Sequence, residues 1–162
     1  MGKQLSMEKK LHEDRIMKEA LLKDLDSAFK HLEYCQKVVE SNHQTYVSLQ
    51  DAYAKIGQKL ADAKFYYLSA TFVLAKDIEG LKSTTLKEHM ETNRPPDVYT
   101  STPRTPFLTY DMIGKVKVDI LDKVRPYKKY LTGKFNEYLG YCMDELNESL
   151  KLIDKDVIPN YR

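Results

Sequence analysis

The sequence has no tryptophan, only two cysteines, and few residues that interrupt regular structure: six glycines and six prolines among 162 residues. So little glycine and proline excludes a collagen-like or low-complexity chain. Two cysteines are too few for a disulfide-stapled scaffold. Cys35 and Cys142 each fall within a helical apolar pattern, so we expect both to be reduced core residues. The length suits one domain, spanning residues 1–162.

An excess of one charge and long apolar runs are also lacking. Lys and Arg number 26 against 24 Asp and Glu, and the net charge of +2 excludes a histone-like protein. No run of about eighteen apolar residues occurs, which a membrane-spanning helix would need. The first residues, MGKQLSMEKKLHEDR, contain no apolar core of a secretory signal, so we expect a cytoplasmic protein.

Proline is distributed unevenly and divides the chain. None occurs between Met1 and Arg94, whereas four of the six lie between Pro95 and Pro106. Proline cannot donate the backbone hydrogen bond that a helix needs, and it moves the preceding residue out of helical geometry. We therefore predict two helical regions that flank a stiff, exposed, Pro-rich connector at residues 92–108.

The first helical region has an apolar repeat of seven residues. Ten of the eleven residues at every seventh position from Leu11 to Leu81 are apolar, as are seven of ten at the positions three residues further on. A spacing of threes and fours kept this long predicts helices that face other helices. The two series are Leu11, Lys18, Leu25, Leu32, Val39, Tyr46, Tyr53, Leu60, Tyr67, Leu74 and Leu81, and Asp14, Leu21, Ala28, Cys35, Asn42, Leu49, Ile56, Ala63, Ala70 and Asp77.

The repeat leaves open whether this region is one helix or two. Residues 41–43, Ser-Asn-His, form helices weakly and cap them well, which favours a turn there. The alternative is an unbroken coiled coil about 125 Å long, in which Asn42 is a buried polar residue that fixes the register. We prefer the turn, because it gives helices at about 7–41 and 44–90 that resemble the third region in length.

The last region, about 109–157, continues the spacing of threes and fours. We expect a kink at Pro126, because proline removes one helical hydrogen bond. The predicted fold is all-α: an elongated antiparallel bundle of three long, coiled-coil-like helices, the third kinked near Pro126. Residues 65–75 are apolar almost all the way round, so we also expect a homo-oligomer, in its simplest form a homodimer.

The first six residues, Met-Gly-Lys-Gln-Leu-Ser, fit the pattern for N-myristoylation of Gly2 after removal of Met1. They are similar to the start of the myristoylated visinin-like calcium sensors. The chain has no EF-hand loop, so the likeness predicts a modification and no fold. One myristoyl chain holds a protein to a membrane only weakly, so stable attachment requires a second signal.

A basic cluster between positions 115 and 134 is a candidate for that second signal. Only Asp119 and Asp122 oppose its seven charges. Such a cluster binds anionic lipid headgroups at about 1 kcal/mol per basic residue. The alternatives are a docking face for an acidic protein partner or a solvated helix face, and nucleic acid is disfavoured because no nucleic-acid-binding motif accompanies the charge. The residues are Lys115, Lys117, Lys123, Arg125, Lys128, Lys129 and Lys134.

The connector contains two hydroxyl residues followed by proline, Thr102-Pro103 and Thr105-Pro106. Both threonines are candidate sites for proline-directed phosphorylation. Residues 103–106 also form a minimal PxxP, a ligand type for polyproline-binding domains. The alternative is a connector with neither property.

No motif for catalysis is apparent. A single Glu-x-x-His, at Glu40 and His43, has no second copy, which a di-iron bundle would need. We therefore predict no metal, no cofactor and no enzyme activity. The predicted function is a helical scaffold or adaptor that binds protein partners and attaches peripherally to a membrane through Gly2 and the basic cluster. The alternative is a structural coiled-coil subunit of a filament or multi-protein complex without lipid contact.

Overall fold

A computed structural model describes residues 2–76, 78, 107–131, 133–157 and 159 of the chain. These residues form four α-helices: α1 (Gly2–Thr45), α2 (Gln50–Lys76), α3 (Tyr110–Val124) and α4 (Gly133–Leu152). Short 3-10 helices occur at Val47–Leu49 and Arg125–Tyr130, and a π-helical turn at Ile153–Val157 follows α4. No strand occurs in the described residues, which confirms the all-α prediction.

The four helices pack as a bundle in the ring order α1, α2, α4, α3. α2 runs antiparallel to α1, since the Tyr67 hydroxyl donates to the carbonyl oxygen of Leu25 on α1. α3 also runs antiparallel to α1, beginning beside the end of α1 and finishing beside its N-terminal half. α4 runs antiparallel to α2, with Lys59 Nζ 3.5 Å from Glu145 Oε2. α2 and α3 therefore lie diagonally across the bundle.

The two predicted apolar series point into the core. From Lys18 to Leu74 every member is less than a tenth exposed, except for the half-buried Tyr46. The other two helices contribute Ile113, Val116 and Ile120 from α3, and Phe135, Cys142 and Leu146 from α4. Burial of each large apolar side chain stabilises the fold by about 1.5–3 kcal/mol, and the heptad positions supply most of these side chains in α1 and α2.

The prediction of three long helices is wrong, because the chain reverses direction near Pro126 instead of kinking. Pro126 lies in the first turn of the 3-10 helix Arg125–Tyr130, where a missing backbone N–H costs little. Leu131 then adopts an extended conformation, with φ −94° and ψ 139°, and α4 starts at Gly133. The predicted helix 109–157 is therefore a hairpin of two helices.

The predicted turn near residue 42 exists, but it lies a few residues later. α1 continues through Asn42 to Thr45, Tyr46 leaves helical geometry with φ −105° and ψ 85°, and α2 begins at Gln50. The unbroken coiled coil is therefore wrong. α2 ends at Lys76, and the predicted continuation to residue 90, apart from Ile78, and most of the connector, up to residue 106, lie outside the described residues.

Candidate interaction surfaces

The α3–α4 hairpin concentrates four of the seven predicted basic residues at one end of the bundle. Arg125, Lys128 and Lys129 lie in the 3-10 helix between the two helices, and Lys134 lies in the first turn of α4. All four are exposed. We call these four residues the basic turn.

The other three residues of the predicted cluster are spread along α3. Lys115 is exposed, whereas Lys117 and Lys123 are half-buried. The single kinked helix that was expected to carry the cluster is replaced by the α3–α4 hairpin. The basic turn is consequently the densest part of the cluster.

Two tyrosine hydroxyls tie the basic turn to α1. The Tyr127 hydroxyl donates to Asp24 Oδ2 at 2.8 Å, and the Tyr130 hydroxyl donates to Glu13 Oε1 at 2.6 Å. The hydrogen bond to Asp24 is the main cause of a raised pKa at Tyr127. Sequence reasoning missed both contacts, because the spacing of Tyr127 and Tyr130 indicates only that they lie at the edge of a helix.

The positive charges of the basic turn remain accessible to solvent. Lys129 Nζ lies 5.0 Å from the centroid of the Tyr130 ring, and Lys134 Nζ lies 5.7 Å from that of Tyr138. These cation–π contacts orient the ammonium groups without neutralising them. Arg125 Nη2 also lies 3.8 Å from Asp122 Oδ1, and an ion pair this exposed contributes little.

The N-terminal part of α1 lies at the same end of the bundle as the basic turn. Glu13, which contacts Tyr130, fixes that position. Gly2 is the first residue of α1, roughly 17 Å further along the same helix at 1.5 Å per residue. The two elements predicted to contact a membrane are thus at one end of the molecule.

The outward face of α2 carries an exposed aromatic group. Phe65 is 64% exposed and Phe72 is 42% exposed. Phe65 packs edge-on against Tyr66 with the ring centroids 5.6 Å apart, and Tyr66 in turn lies 5.2 Å from Tyr141 of α4. We call the outward side of α2, centred on Phe65 and Phe72, the aromatic face.

The outward side of α3 is also partly apolar. Val118 is 56% exposed and Leu121 is 42% exposed, one turn before the basic turn. An open groove of about 670 Å³ runs beside the first two turns of this helix, lined in part by Tyr110, Lys115 and Val118. Basic, acidic and apolar groups therefore share the surface that leads to the basic turn.

The two cysteines are buried and free, as predicted. Burial raises the pKa of each thiol from 9.0 to about 12, with Glu145 a further cause at Cys142. Cys35 Sγ lies 3.5 Å from the carbonyl oxygen of Met112. One turn earlier in α1, His31 Nδ1 lies 3.4 Å from Asp119 Oδ2. No group of three or more potential metal ligands is present among the described residues.

Thr102 and Thr105 lie outside the described residues, so their phosphorylation stays a prediction. No helix in the described part of the chain has the length and apolar character required to cross a bilayer.

Comparison with known proteins found no protein-family model, no curated protein and no solved structure that matches this chain.

Proposed function

We propose that this protein is a non-enzymatic helical adaptor that binds the surface of anionic membranes through its basic turn and presents other helical faces to protein partners. One observation carries the proposal: four exposed basic residues lie at the end of the bundle where α1 begins. Each basic residue near an anionic bilayer contributes about 1 kcal/mol to binding. Four of them give a weak, salt-sensitive attachment that a second membrane contact can strengthen.

The N-terminal glycine supplies that second contact in the proposal. Myristoylation of Gly2 would place an acyl chain at the start of α1, at the same end of the bundle as the basic turn. Neither signal alone holds a protein stably on a bilayer, but one acyl chain together with a basic patch does. The exposed Val118 and Leu121 add apolar area close to Arg125.

Vesicle sedimentation tests the proposal. The full chain is mixed with vesicles of phosphatidylcholine alone and with vesicles that also contain phosphatidylserine, at low and high salt. We expect sedimentation only with the anionic vesicles, and less of it at high salt. Lys128→Glu together with Lys129→Glu should weaken binding by a factor of about 30 or more, at about 1 kcal/mol per basic residue lost.

A matched variant controls for the change in net charge. Lys151→Glu together with Lys155→Glu also replaces two exposed lysines. Lys151 lies in the last turn of α4 and Lys155 in the π-helical turn that follows, both far from the basic turn. This variant should bind as the unaltered protein does. Equal loss of binding in the two variants would mean that overall charge, and not the basic turn, attracts the membrane.

Gly2→Ala tests the acyl contribution separately. Coexpression with an N-myristoyltransferase should add one myristoyl group to the unaltered chain and none to Gly2→Ala, which intact-mass spectrometry detects. The acylated chain should bind vesicles more tightly and with less sensitivity to salt. Absence of the added mass would remove Gly2 from the proposal and leave the basic turn to be judged by its own variants.

The second candidate function is a structural subunit of a filament or multi-protein assembly that does not contact lipid. The exposed Phe65 and Phe72 favour it, because large apolar side chains on an outward helix face are typical of surfaces covered by another chain. Failure of both the acylated and the unacylated chain to sediment with anionic vesicles would leave this second function as the better account.

A further inference from the structure

The aromatic face is part of one continuous stripe along the solvent side of α2. Ala54, Gln58, Ala61, Phe65 and Phe72 are exposed on α2, and Leu68 between them is half-buried. Their spacing is four, three, four, three and four residues, which places all six on one stripe of the helix. This stripe lies opposite the buried series of α2, which includes Ile56, Leu60, Ala63, Tyr67 and Leu74. α2 therefore carries two seams, one toward the core and one toward solvent.

The outward seam is self-complementary when two copies of α2 are antiparallel. Its spacing reads the same in both directions, so every position aligns with a position of the second copy. Phe65 then faces Ala61 of the second copy, and Phe72 faces Ala54 of the second copy. A large side chain meets a small one in each of these layers, which allows the helices to approach evenly. A parallel pair would set Phe65 against Phe65 and Ala61 against Ala61.

The charges at the ends of the seam fit the same arrangement. Asp51 and Lys76 are both exposed and lie on one side of the seam, in the first and last turns of α2. In the antiparallel pair Asp51 faces Lys76 of the second copy, so opposite charges meet at both ends. Lys76 Nζ also lies 5.2 Å from the centroid of the Phe72 ring, which holds it beside the seam.

The geometry of the bundle favours a small interface. The seam from Asp51 to Lys76 is about 38 Å long at 1.5 Å per residue. α2 lies at a corner of the bundle, diagonally across from α3, so α1 and α4 lie behind it and the contact is mainly between the two α2 helices. An interface at the small end of the specific range fits a reversible monomer–dimer equilibrium.

We propose that this protein forms an antiparallel homodimer through the aromatic face, with the two α2 helices packed along the stripe from Ala54 to Phe72. The interface lies diagonally across the bundle from α3, so the dimer leaves α3 uncovered. The inference is independent of membrane binding and concerns a different surface.

Sedimentation equilibrium of the full chain over a range of concentrations tests the dimer. We expect a reversible monomer–dimer equilibrium. Phe65→Ser together with Phe72→Ser should raise the dimer dissociation constant by at least a hundredfold, and Val118→Ser on α3 should leave it unchanged. Because all three side chains are exposed in the monomer, thermal unfolding monitored at low concentration should show that the variants remain folded. A chain that is monomeric at every concentration, or a dimer unaffected by the two serine substitutions, would overturn the proposal.

A charge exchange tests the antiparallel orientation. Asp51→Lys alone and Lys76→Asp alone should each weaken the dimer several-fold, because each places like charges at both ends of the seam. The double variant should recover most of the lost affinity. Single variants without effect, or a double variant weaker than either single one, would exclude this arrangement.

Asp62 provides a test with the opposite sign. It lies beside the centre of the seam, where it faces Asp62 of the second copy, and in the monomer it accepts a hydrogen bond from Gln58 at 3.0 Å. Asp62→Asn removes the repulsion and keeps a hydrogen-bonding side chain, so it should strengthen the dimer. A dimer weakened by this substitution would contradict the proposed axis.

Discussion

Asn42 joins the end of α1 to the residues that precede α3. Its side-chain oxygen accepts a hydrogen bond of 2.9 Å from the backbone N–H of Leu108, and both residues are buried. Leu108 precedes the extended residue Thr109, after which α3 begins at Tyr110. The hydrogen bond therefore sets the position of α3 on α1 at the end of the bundle opposite the basic turn.

Asn42→Ala should destabilise the protein by about 1–3 kcal/mol. The substitution leaves the buried N–H of Leu108 without this acceptor, and an unsatisfied buried donor costs about that much. Gln44→Ala is the matched control, because Gln44 is an exposed amide of the same helix, two residues away. Urea unfolding followed by circular dichroism measures both. Equal stability of the two variants would contradict the role assigned to Asn42.

The sequence predicted the buried faces of α1 and α2 better than the number of helices. Lys18, Asn42 and Leu74 all belong to the predicted series and all are buried, because the seven-residue spacing directly reflects which side of each helix meets its neighbours. The series runs without a slip through residues 46–49, although the chain turns there. The rotation of each helix about its own axis is set by its own packing against the core. An unbroken heptad register therefore does not establish an unbroken helix.

The same reasoning explains the error at Pro126. Val124 and Phe135 bury their side chains on two separate helices, yet their spacing continues the pattern of a single helix. Proline is compatible with a kink, a break or the first turn of a new helical segment, so it could not distinguish a bent helix from a hairpin. The packing of α4 against α2 distinguishes them, because Glu145 Oε2 can lie 3.5 Å from Lys59 Nζ only once the chain has turned back.

The exposed surfaces were predicted less completely than the core. Residues 65–75 were expected to be covered on more than one side. In the described bundle Phe65 and Phe72 are exposed, so the bundle covers only one side of this segment. Nothing in the sequence separated the basic turn from Lys115, Lys117 and Lys123, because that separation depends on the reversal of the chain.

Replacement of two glycines should stabilise the protein. A Cβ atom added at Gly114 or Gly140 would have no neighbour within 4 Å among the described residues, and both glycines lie inside helices. Alanine loses less conformational freedom than glycine on folding, so Gly114→Ala and Gly140→Ala should each add about 0.5–1 kcal/mol. Thermal unfolding should show a higher midpoint for each.

Gly57→Ala is the control for these two variants. A Cβ atom at Gly57 would lie 3.4 Å from Val39 Cγ1, at the near limit of ordinary van der Waals contact, so a small shift of Val39 would offset part of the same gain. We expect a smaller increase than at Gly114 or Gly140. A larger increase at Gly57 would mean that α1 and α2 are less closely packed than described.

Alkaline pH should destabilise the protein through its buried thiols. Burial raises the pKa of Cys35 and Cys142 from 9.0 to about 12 and also raises the pKa of Tyr67. Above pH 9 the unfolded chain releases thiol protons that the folded protein retains. The free energy of unfolding should therefore be unaffected by these thiols below pH 9 and fall by about 1.4 kcal/mol per pH unit for each thiol between pH 9 and pH 12.

Urea unfolding at a series of pH values measures this slope. Cys142→Ala lowers stability at every pH, but it should also reduce the slope above pH 9 by the share of one thiol. An unchanged slope would show that Cys142 does not titrate differently in the folded and unfolded states. Labelling with a thiol reagent gives an independent measure, since neither cysteine should react until the bundle opens.

The two proposals together predict that the protein links vesicles. In an antiparallel dimer the two basic turns point toward opposite ends, because each lies beside the C-terminal half of its own α2. One dimer can therefore bind two anionic surfaces at once, and its multivalent attachment should cluster vesicles, which raises the turbidity of the suspension. Phe65→Ser together with Phe72→Ser should abolish clustering while each monomer still sediments with the vesicles. Equal clustering by this variant and by the unaltered protein would show that the bridges do not depend on the aromatic face.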